Sequence, residues 1–127
     1  MSPIENSIAT AILDQAFKVH RELGPGLLES VYEKCLQYEL IKAGYKVVSQ
    51  APIPLTYKEM IFDTAYRADL IVNDLVIVEI KSVEQLTQLH FAQTLTYLKV
   101  SKLKLGLLIN FNTPLLKDGI HRIVNNL

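Results

Sequence analysis

Apolar residues recur every three or four positions over roughly the first forty residues of the chain. From about Glu5 to Leu23 this spacing predicts an amphipathic helix that ends at Gly24-Pro25-Gly26. The same spacing returns from about Leu27 or Leu28 to Ala43 and stops at Gly44. The pattern therefore predicts two helices at the start of the fold.

The middle of the chain changes to short apolar runs separated by turn residues, which is typical of strands. Residues 45–49 predict one strand, Pro52-Ile53-Pro54 interrupts the run, and residues 55–57 and 60–64 predict a hairpin. Because proline cannot donate to a sheet ladder, these prolines indicate an edge strand or an irregular strand start.

The rest of the chain alternates between strand and helix patterns. Strands are predicted at residues 67–73, 75–81, 104–110 and 119–125, and a helix at residues 83–100. This order predicts an α/β fold, a mixed sheet covered by helices, in which Glu79 to Asn110 forms a right-handed crossover between parallel neighbours. At 14.4 kDa, residues 1–127 are expected to form one domain.

Two carboxylates lie inside these otherwise apolar strand segments. Asp69 stands in the first, and ten residues later Glu79-Ile80-Lys81 ends the second. An unpaired buried charge costs several kcal/mol, so this placement requires a partner or a cation. Side chains alternate along a strand, and Glu79 and Lys81 therefore share one face.

The length of the loop between these strands decides whether Asp69 reaches that face. A three-residue loop, Asn73-Asp74-Leu75, sets Asp69 directly across from Glu79, within reach of one shared cation. A two-residue loop places the two carboxylates on opposite faces. The sequence leaves both registers open.

Two carboxylates and a lysine around one cation are typical of sites that hydrolyse phosphodiester bonds. The cation polarises a phosphoryl oxygen and lowers the pKa of a bound water, while the ammonium orients that water or offsets developing charge. Because oxygen ligands favour Mg²⁺ or Mn²⁺ over zinc, we expect Asp69 and Glu79 to bind such a metal and Lys81 to be catalytic. The alternative is that Lys81 only forms an ion pair with one of the acids.

The helix predicted at residues 83–100 carries polar residues beside its apolar stripe. Gln93 and Tyr97 lie one turn apart, where an amide and a phenol suit contacts with phosphate, a base or a metal-bound water. The alternative is a core Tyr97 with a satisfied hydroxyl and a solvated Gln93.

The segment GPGLLESVYE, residues 24–33, offers further candidates. Glu29 falls in the first turn of the second helix, where the helix dipole favours an acid in any case. It also projects toward the edge of the apolar stripe, so it could add a third carboxylate to Asp69 and Glu79. His20, just before this segment, is a candidate polar partner, although a lone histidine here is more often a surface or capping residue.

Composition narrows the function classes. Thirteen Lys plus Arg balance thirteen Asp plus Glu, with a pI near 6.8, which counts against a general nucleic-acid coat protein but leaves room for a local basic groove. The lone Cys35 excludes an internal disulfide and an intrachain cysteine-ligated metal site, and it fits a reducing compartment. The N-terminal pattern is not that of a signal peptide, and no stretch approaches roughly 18 apolar residues. We therefore expect a cytoplasmic protein without a membrane association.

Together these motifs resemble the PD-(D/E)XK nuclease superfamily and, more closely, a small bacterial group named GxxExxR proteins. The residues that carry the resemblance are Gly26 and Glu29 of the helix motif, Asp69, the acid-x-lysine residues Glu79 and Lys81, and Gln93 with Tyr97, which are similar to the Q-x-x-x-Y signature of RecB-type members. The resemblance spans almost the whole chain. It implies a restriction-endonuclease-like α/β fold with a mixed sheet of about four core strands flanked by helices.

The chain departs from the pattern of the smaller group at one position. Tyr32 stands where the group's name has arginine, three residues after Glu29. Any function of that arginine would have to come from Arg21, Arg67 or Lys34, and we expect Arg67 to support substrate binding.

The resemblance implies a metal-dependent nuclease that acts on nucleic acid, DNA in particular, in DNA processing or repair. A rival from another class is a catalytically inactive binding or scaffolding module with the same fold. A third alternative is a stabilising ion-pair network in a protein of unrelated purpose. The sequence leaves the oligomeric state open, although a small domain that grips a duplex would gain surface as a homodimer.

Overall fold

The computed structural model describes residues 2–127. Its helices and strands are α1 (Ile4–Leu23), α2 (Glu29–Lys42), β1 (Val47–Tyr57), β2 (Met60–Val72), β3 (Val76–Lys81), α3 (Gln88–Ser101), β4 (Leu105–Asn110) and β5 (Ile120–Val124), with a short 3₁₀ helix at Leu116–Gly119. The two leading helices confirm the prediction from the apolar spacing. Within residues 2–127, no helix is both long and apolar enough to cross a membrane.

The turn between α1 and α2 is held by Tyr32. Its hydroxyl donates to the Gly24 carbonyl at 2.5 Å and accepts the Leu27 N–H at 3.1 Å. The ring is fully buried and stacks on Phe111 with ring centroids 4.5 Å apart. Tyr32, at the position where the motif of the smaller group has arginine, therefore fixes the turn that precedes Glu29.

The five strands form one mixed sheet in the order β1-β2-β3-β4-β5. The β3–β4 pair is parallel, and the other three pairs are antiparallel. The predicted fold class, a mixed sheet flanked by helices, is confirmed with five strands instead of about four. The parallel pairing predicted across the Glu79 to Asn110 connection is also confirmed.

The prediction of a break at the prolines was wrong. Strand β1 runs from Val47 through Pro52 and Pro54 to Tyr57, and the register against β2 shifts between Ile53 and Leu55. The chain can continue because β1 is an edge strand, so a missing N–H need not cost a ladder bond. The prediction of an edge strand is confirmed.

Two apolar clusters hold the helices to the sheet. The larger one joins α1 and α2 to residues such as Leu70, Val78 and Ile80. The smaller one joins α3, through Tyr97 and Leu98, to residues of β1, β2 and β3. Helices therefore cover both faces of the sheet, but the apolar layer under α3 is much less extensive.

Helix α3 begins at Gln88, five residues after the predicted start. Residues 83–87 are not helical because their backbone groups have other partners. The N–H of Val83 donates to Asn110 Oδ1 at 3.1 Å, its carbonyl accepts from Asn110 Nδ2 at 2.9 Å, and the Thr87 N–H donates to His90 Nδ1 at 3.1 Å.

Candidate active site

The loop between β2 and β3 sets the register of the site. Val72 pairs with Val76, which leaves Asn73-Asp74-Leu75 as a three-residue loop. Asn73 and Asp74 adopt left-handed backbone angles, with φ of 51° and 58°, as short-chain polar residues do in tight turns. Continued by one residue beyond the Leu70–Val78 pair, this register sets Asp69 opposite Glu79. This is the arrangement expected for a three-residue loop.

Asp69 and Glu79 hold each other through the backbone. The Asp69 N–H donates to Glu79 Oε2 at 2.8 Å, and the Ile80 N–H donates to Asp69 Oδ2 at 2.8 Å. These side-chain contacts occur where the regular β2–β3 pairing ends. Asp69 Oδ1 has only a long 3.4 Å contact with Gln50 Nε2, and no hydrogen bond from residues 2–127 reaches Glu79 Oε1. One oxygen of each carboxylate is thus available to a ligand.

Burial and mutual repulsion disfavour ionisation of this acid pair. Glu79 is 4% exposed, and its pKa is raised to about 8, mainly by desolvation and next by the Asp69 charge. The hydrogen bond from the Asp69 N–H and the charge of Lys81 act in the opposite direction. The pKa of Asp69 is raised too, mainly by desolvation. A cation between the free oxygens would stabilise the ionised form of both groups.

The donor set fits a hard divalent cation that keeps several ligands from outside the protein. Within the described residues, no group of three or more His, Cys, Asp or Glu side chains could hold a metal. Mg²⁺ is commonly bound by one or two carboxylates together with water and substrate phosphate oxygens. Asp69 and Glu79 could supply those two carboxylates, and the hard oxygens favour Mg²⁺ or Mn²⁺ over zinc.

Lys81 lies near the acids without pairing to them. Its positive charge lowers the pKa of both Asp69 and Glu79, so it stands within electrostatic range. The ion pairs within 4.0 Å among residues 2–127 are Lys18–Glu39 and Lys46–Asp74. The Lys81 ammonium therefore forms no ion pair with Asp69 or Glu79. The alternative in which Lys81 only pairs with one of these acids is not observed.

The chain on either side of Lys81 is fixed by Asn110, which the sequence analysis overlooked. Lys81 is the register partner of Asn110, and the Phe111 N–H donates to the Lys81 carbonyl at 2.9 Å. The Asn110 side chain, 3% exposed, binds both backbone groups of Val83. The feature of the sequence that could have indicated Asn110 is its position as a polar residue at the end of the apolar run LGLLIN.

Glu29 is placed beside this strand end and not with the acid pair. It is exposed, and its Oε2 accepts the Ser82 N–H at 3.1 Å. Ser82 Oγ also donates to the Leu27 carbonyl at 2.6 Å. The start of α2 therefore fastens the residue that follows Lys81, which gives Glu29 a structural contact in place of the expected carboxylate cluster.

Glu33, one turn after Glu29, is the helical acid directed toward the site. Its carboxylate accepts from Ser49 Oγ at 2.9 Å and from Gln50 Nε2 at 2.9 Å, and the same amide reaches toward Asp69. Its charge raises the pKa of both Asp69 and Glu79. The sequence analysis missed Glu33 and Gln50, although the four-residue spacing from Glu29 pointed to the same helix face.

Tyr97 faces the acids from α3, and Gln93 does not reach them. The Tyr97 ring is 5% exposed and lies 5.1 Å from the ring of Tyr66. Burial raises the pKa of Tyr97 most, followed by the charges of Glu79 and Asp69. Gln93 is exposed one turn away. The ring of Tyr97 thus belongs to the core, as the alternative held, but no hydrogen bond from residues 2–127 satisfies its hydroxyl.

Two other predicted residues occupy separate positions. His20 is 8% exposed, its Nε2 lies 2.9 Å from the Thr113 carbonyl oxygen, and its ring is near Phe111. The structure therefore does not bring His20 to the acid pair. Arg67 is exposed two residues before Asp69, and its Nη1 donates to the Gln50 carbonyl at 3.4 Å.

Comparison with models of known protein families identifies the family of the chain. A family model described as the PD-(D/E)XK nuclease superfamily matches residues 6–123. The chain belongs to this superfamily. Comparisons with curated proteins and with solved structures find no match. The name of the superfamily describes an aspartate followed by acid-x-lysine, which is the order of residue types at Asp69 and Glu79-Ile80-Lys81 in this chain.

Proposed function

We propose that this member of the PD-(D/E)XK nuclease superfamily is a metal-dependent nuclease that hydrolyses phosphodiester bonds in nucleic acid, with DNA as its substrate. The observation that carries the proposal is the acid pair. Within residues 2–127, Asp69 and Glu79 each accept a hydrogen bond of 2.8 Å from a backbone N–H on one oxygen and leave the other oxygen available, and no acid forms an ion pair with Lys81. Such a preorganised group of charges suits the stabilisation of a charged transition state.

Asp69 Oδ1 and Glu79 Oε1 are the proposed metal ligands. A bound Mg²⁺ or Mn²⁺ would polarise a phosphoryl oxygen and lower the pKa of a coordinated water. Lys81 would orient the attacking water or offset the negative charge that develops on the phosphate. The contacts of Asn110 and Glu29 with residues 82 and 83 hold this lysine's strand in position.

Other residues around the acids have supporting roles in the proposal. The Tyr97 hydroxyl has no hydrogen-bond partner within residues 2–127, and it can donate to a phosphate oxygen or a water near Glu79 and Asp69. Gln93 and Arg67 are exposed at the margins, where they would contact the nucleic-acid backbone. Glu33 restrains Gln50 and, through it, Asp69.

The rival function, an inactive binding or scaffolding module, draws support from one specific observation. Burial and the charge of Asp69 raise the pKa of Glu79, which favours its protonated form when no metal is bound, so the acid pair can persist without a cation. The balanced charge of the chain, and the lack of a third carboxylate ligand among residues 2–127, also favour this rival. Thermal melting with and without Mn²⁺ separates the two, because a ligand that binds the folded state raises the melting temperature.

The test of the leading proposal is a cleavage assay. The purified protein is incubated with DNA and RNA substrates in Mg²⁺ or Mn²⁺, beside Lys81→Ala and the control Lys104→Ala, which removes an exposed lysine just before β4. We expect metal-dependent cleavage that Lys81→Ala abolishes and Lys104→Ala preserves. Equal cleavage by both variants would remove Lys81 from the mechanism.

A further inference from the structure

A pocket of about 510 Å³ opens beside the strand end that carries Lys81. It is lined by Gly26, Leu27, Leu28, Val31, Ser82 and Asn112. Because Ser82 directly follows Lys81 in the chain, the pocket lies at the same strand end as the proposed catalytic lysine. Its volume is in the range of small-molecule sites, roughly 300–1,000 Å³.

The walls of this pocket, called here the Leu28 pocket, are apolar and exposed to solvent. Leu28 is 73% exposed, and Leu27 and Val31 are 39% and 36% exposed. Neighbouring exposed apolar side chains in a concave surface are typical of a binding site. None of the six lining residues is charged, and Glu29 engages the Ser82 N–H. The Leu28 pocket therefore suits an uncharged group and not a phosphate.

The polar lining residues of the pocket, Ser82 and Asn112, leave one side-chain acceptor free. Ser82 Oγ donates to the Leu27 carbonyl, and Asn112 Nδ2 donates to the Val83 carbonyl at 3.3 Å. The Asn112 backbone N–H donates to Asn110 Oδ1 at 3.2 Å. No hydrogen bond within residues 2–127 uses Asn112 Oδ1, so it can accept from a ligand. Apolar walls with a few fixed polar groups are the usual composition of a pocket that orients a flat organic ligand.

We propose that the Leu28 pocket binds one unpaired nucleobase of the strand whose phosphodiester lies at Asp69, Glu79 and Lys81. This inference rests on the proposed nuclease function. In a polynucleotide every charged phosphate is linked through its sugar to an uncharged planar base, and the structure places an uncharged pocket at the strand end that carries the proposed charged centre. A paired base must leave its duplex to enter such a pocket, at a cost of a few kcal/mol. The protein should therefore prefer single-stranded or frayed nucleic acid.

The experiment measures the fluorescence of a base in a bound oligonucleotide. It is carried out in EDTA, because removal of the metal prevents cleavage and leaves binding alone to be measured. A single-stranded oligonucleotide carrying the fluorescent base 2-aminopurine is titrated with wild-type protein, and the same oligonucleotide in a duplex serves for comparison. We expect the single strand to bind more tightly and to change its fluorescence on binding. Equal affinity for single strand and duplex, with no fluorescence change, overturns the inference.

Two matched variants assign the signal to the Leu28 pocket. Leu28→Ser removes an apolar wall at the N-cap of α2, where serine is a better capping residue than leucine, so the fold should be retained. We expect roughly tenfold weaker binding, as for the loss of one apolar contact. The control Ile41→Ser changes an exposed apolar residue, 53% exposed, near the other end of the same helix and should bind like wild type. Identical affinities for Leu28→Ser and Ile41→Ser overturn the inference.

A parallel cleavage assay distinguishes failure of this inference from failure of the proposed function. Lys81-dependent cleavage in Mn²⁺, combined with unchanged binding by Leu28→Ser, retains the nuclease and overturns the base pocket. Fluorescence that depends on Leu28, in a protein that cleaves no substrate, supports the pocket and overturns the nuclease.

Discussion

The two faces of the sheet differ in what they bury. The face under α1 and α2 carries a continuous apolar cluster that includes Leu70, Val78 and Ile80. The face under α3 carries a smaller cluster, and beyond it lie two carboxylates and the hydroxyl of Tyr97. One face thus contributes apolar packing, while the other combines a smaller apolar cluster with partly buried ionisable groups.

Neighbouring residues on β2 show the division most clearly. Leu70 is fully buried in the larger cluster, whereas the half-buried Asp69 bonds to Glu79 and Ile80. Ala68, which a regular two-residue period would place with Leu70, packs in the smaller cluster. The alternation therefore breaks at Asp69, and Gln50, which forms a hydrogen bond to Asp69, has a left-handed φ of 51°. The site occupies an irregularity in the sheet.

The largest effect is expected from the apolar side of this comparison. Leu70→Ala leaves a cavity in the main cluster and should lower the free energy of unfolding by about 2–5 kcal/mol. Urea denaturation of wild type and variant measures this. The matched control Leu89→Ala, at a residue 74% exposed on α3, should change stability little. Similar losses for both variants would contradict the assignment of the core.

Substitution of the neighbouring residue, Asp69, should instead lower activity strongly and change stability little. Asp69→Asn removes a proposed metal ligand and should lower the cleavage rate on the order of a hundredfold or more, as removal of a group that stabilises transition-state charge does. The variant should stay folded, because an amide oxygen can still accept the Ile80 N–H. Steady-state kinetics and a urea titration of the same preparation test this. Loss of stability in proportion to activity would show that Asp69 is structural.

An intermediate effect on both stability and cleavage is expected at Asn110, a buried residue that holds the chain after Lys81. Asn110→Ala removes three hydrogen bonds to the backbone of Val83 and Asn112 and should cost about 1–3 kcal/mol of stability. It should also lower cleavage, by less than Asp69→Asn, because the chain after Lys81 loses its anchor. Asn125→Ala, which removes one side-chain bond to the Leu103 carbonyl, is the control and should retain full activity.

The raised pKa of Glu79 makes a prediction for the metal-free protein. Its folded pKa of about 8 lies above the ordinary value of 4.5, so the folded state holds this proton more tightly than the unfolded state does. The resulting stability is fully present below pH 4.5 and is lost as the pH rises to about 8. Melting temperatures in EDTA should therefore fall across this range. Glu79→Gln should flatten the decline, although the raised pKa of Asp69 contributes with the same sign.

The smallest effect concerns the link from Glu33 to Asp69. Gln50→Gly relieves a left-handed backbone strain of roughly 1–2 kcal/mol. Glycine also raises the entropy of the unfolded chain, which costs about 0.5–1 kcal/mol of stability. The free energy of unfolding should therefore change by less than about 1 kcal/mol. Because the Gln50 amide lowers the pKa of Asp69, its loss should raise that pKa. The acid limb of the pH–rate profile should move upward, and an unmoved limb would contradict the link.

The sequence predicted the parts of this structure that depend on local pattern. The helices, the fold class and the edge strand follow from apolar spacing and proline chemistry. The sequence also showed that a three-residue loop would set Asp69 across from Glu79, but the length of that loop is known only from the structure. Contacts between distant segments could not be predicted in this way. Such contacts are the hydrogen bonds between Asn110 and Val83, between Glu33 and Gln50, and between His20 and Thr113. Each joins separate segments, and only the folded chain shows which polar groups lie together.

The central claim is that Asp69 and Glu79 together bind one divalent cation, and titration calorimetry with Mn²⁺ tests it most directly. The account predicts one site per chain in the wild-type protein, lost in both Asp69→Asn and Glu79→Gln and retained in Glu29→Gln. Heat of binding that is absent from the wild type, or that is unchanged in the two acid-pair variants, would contradict it.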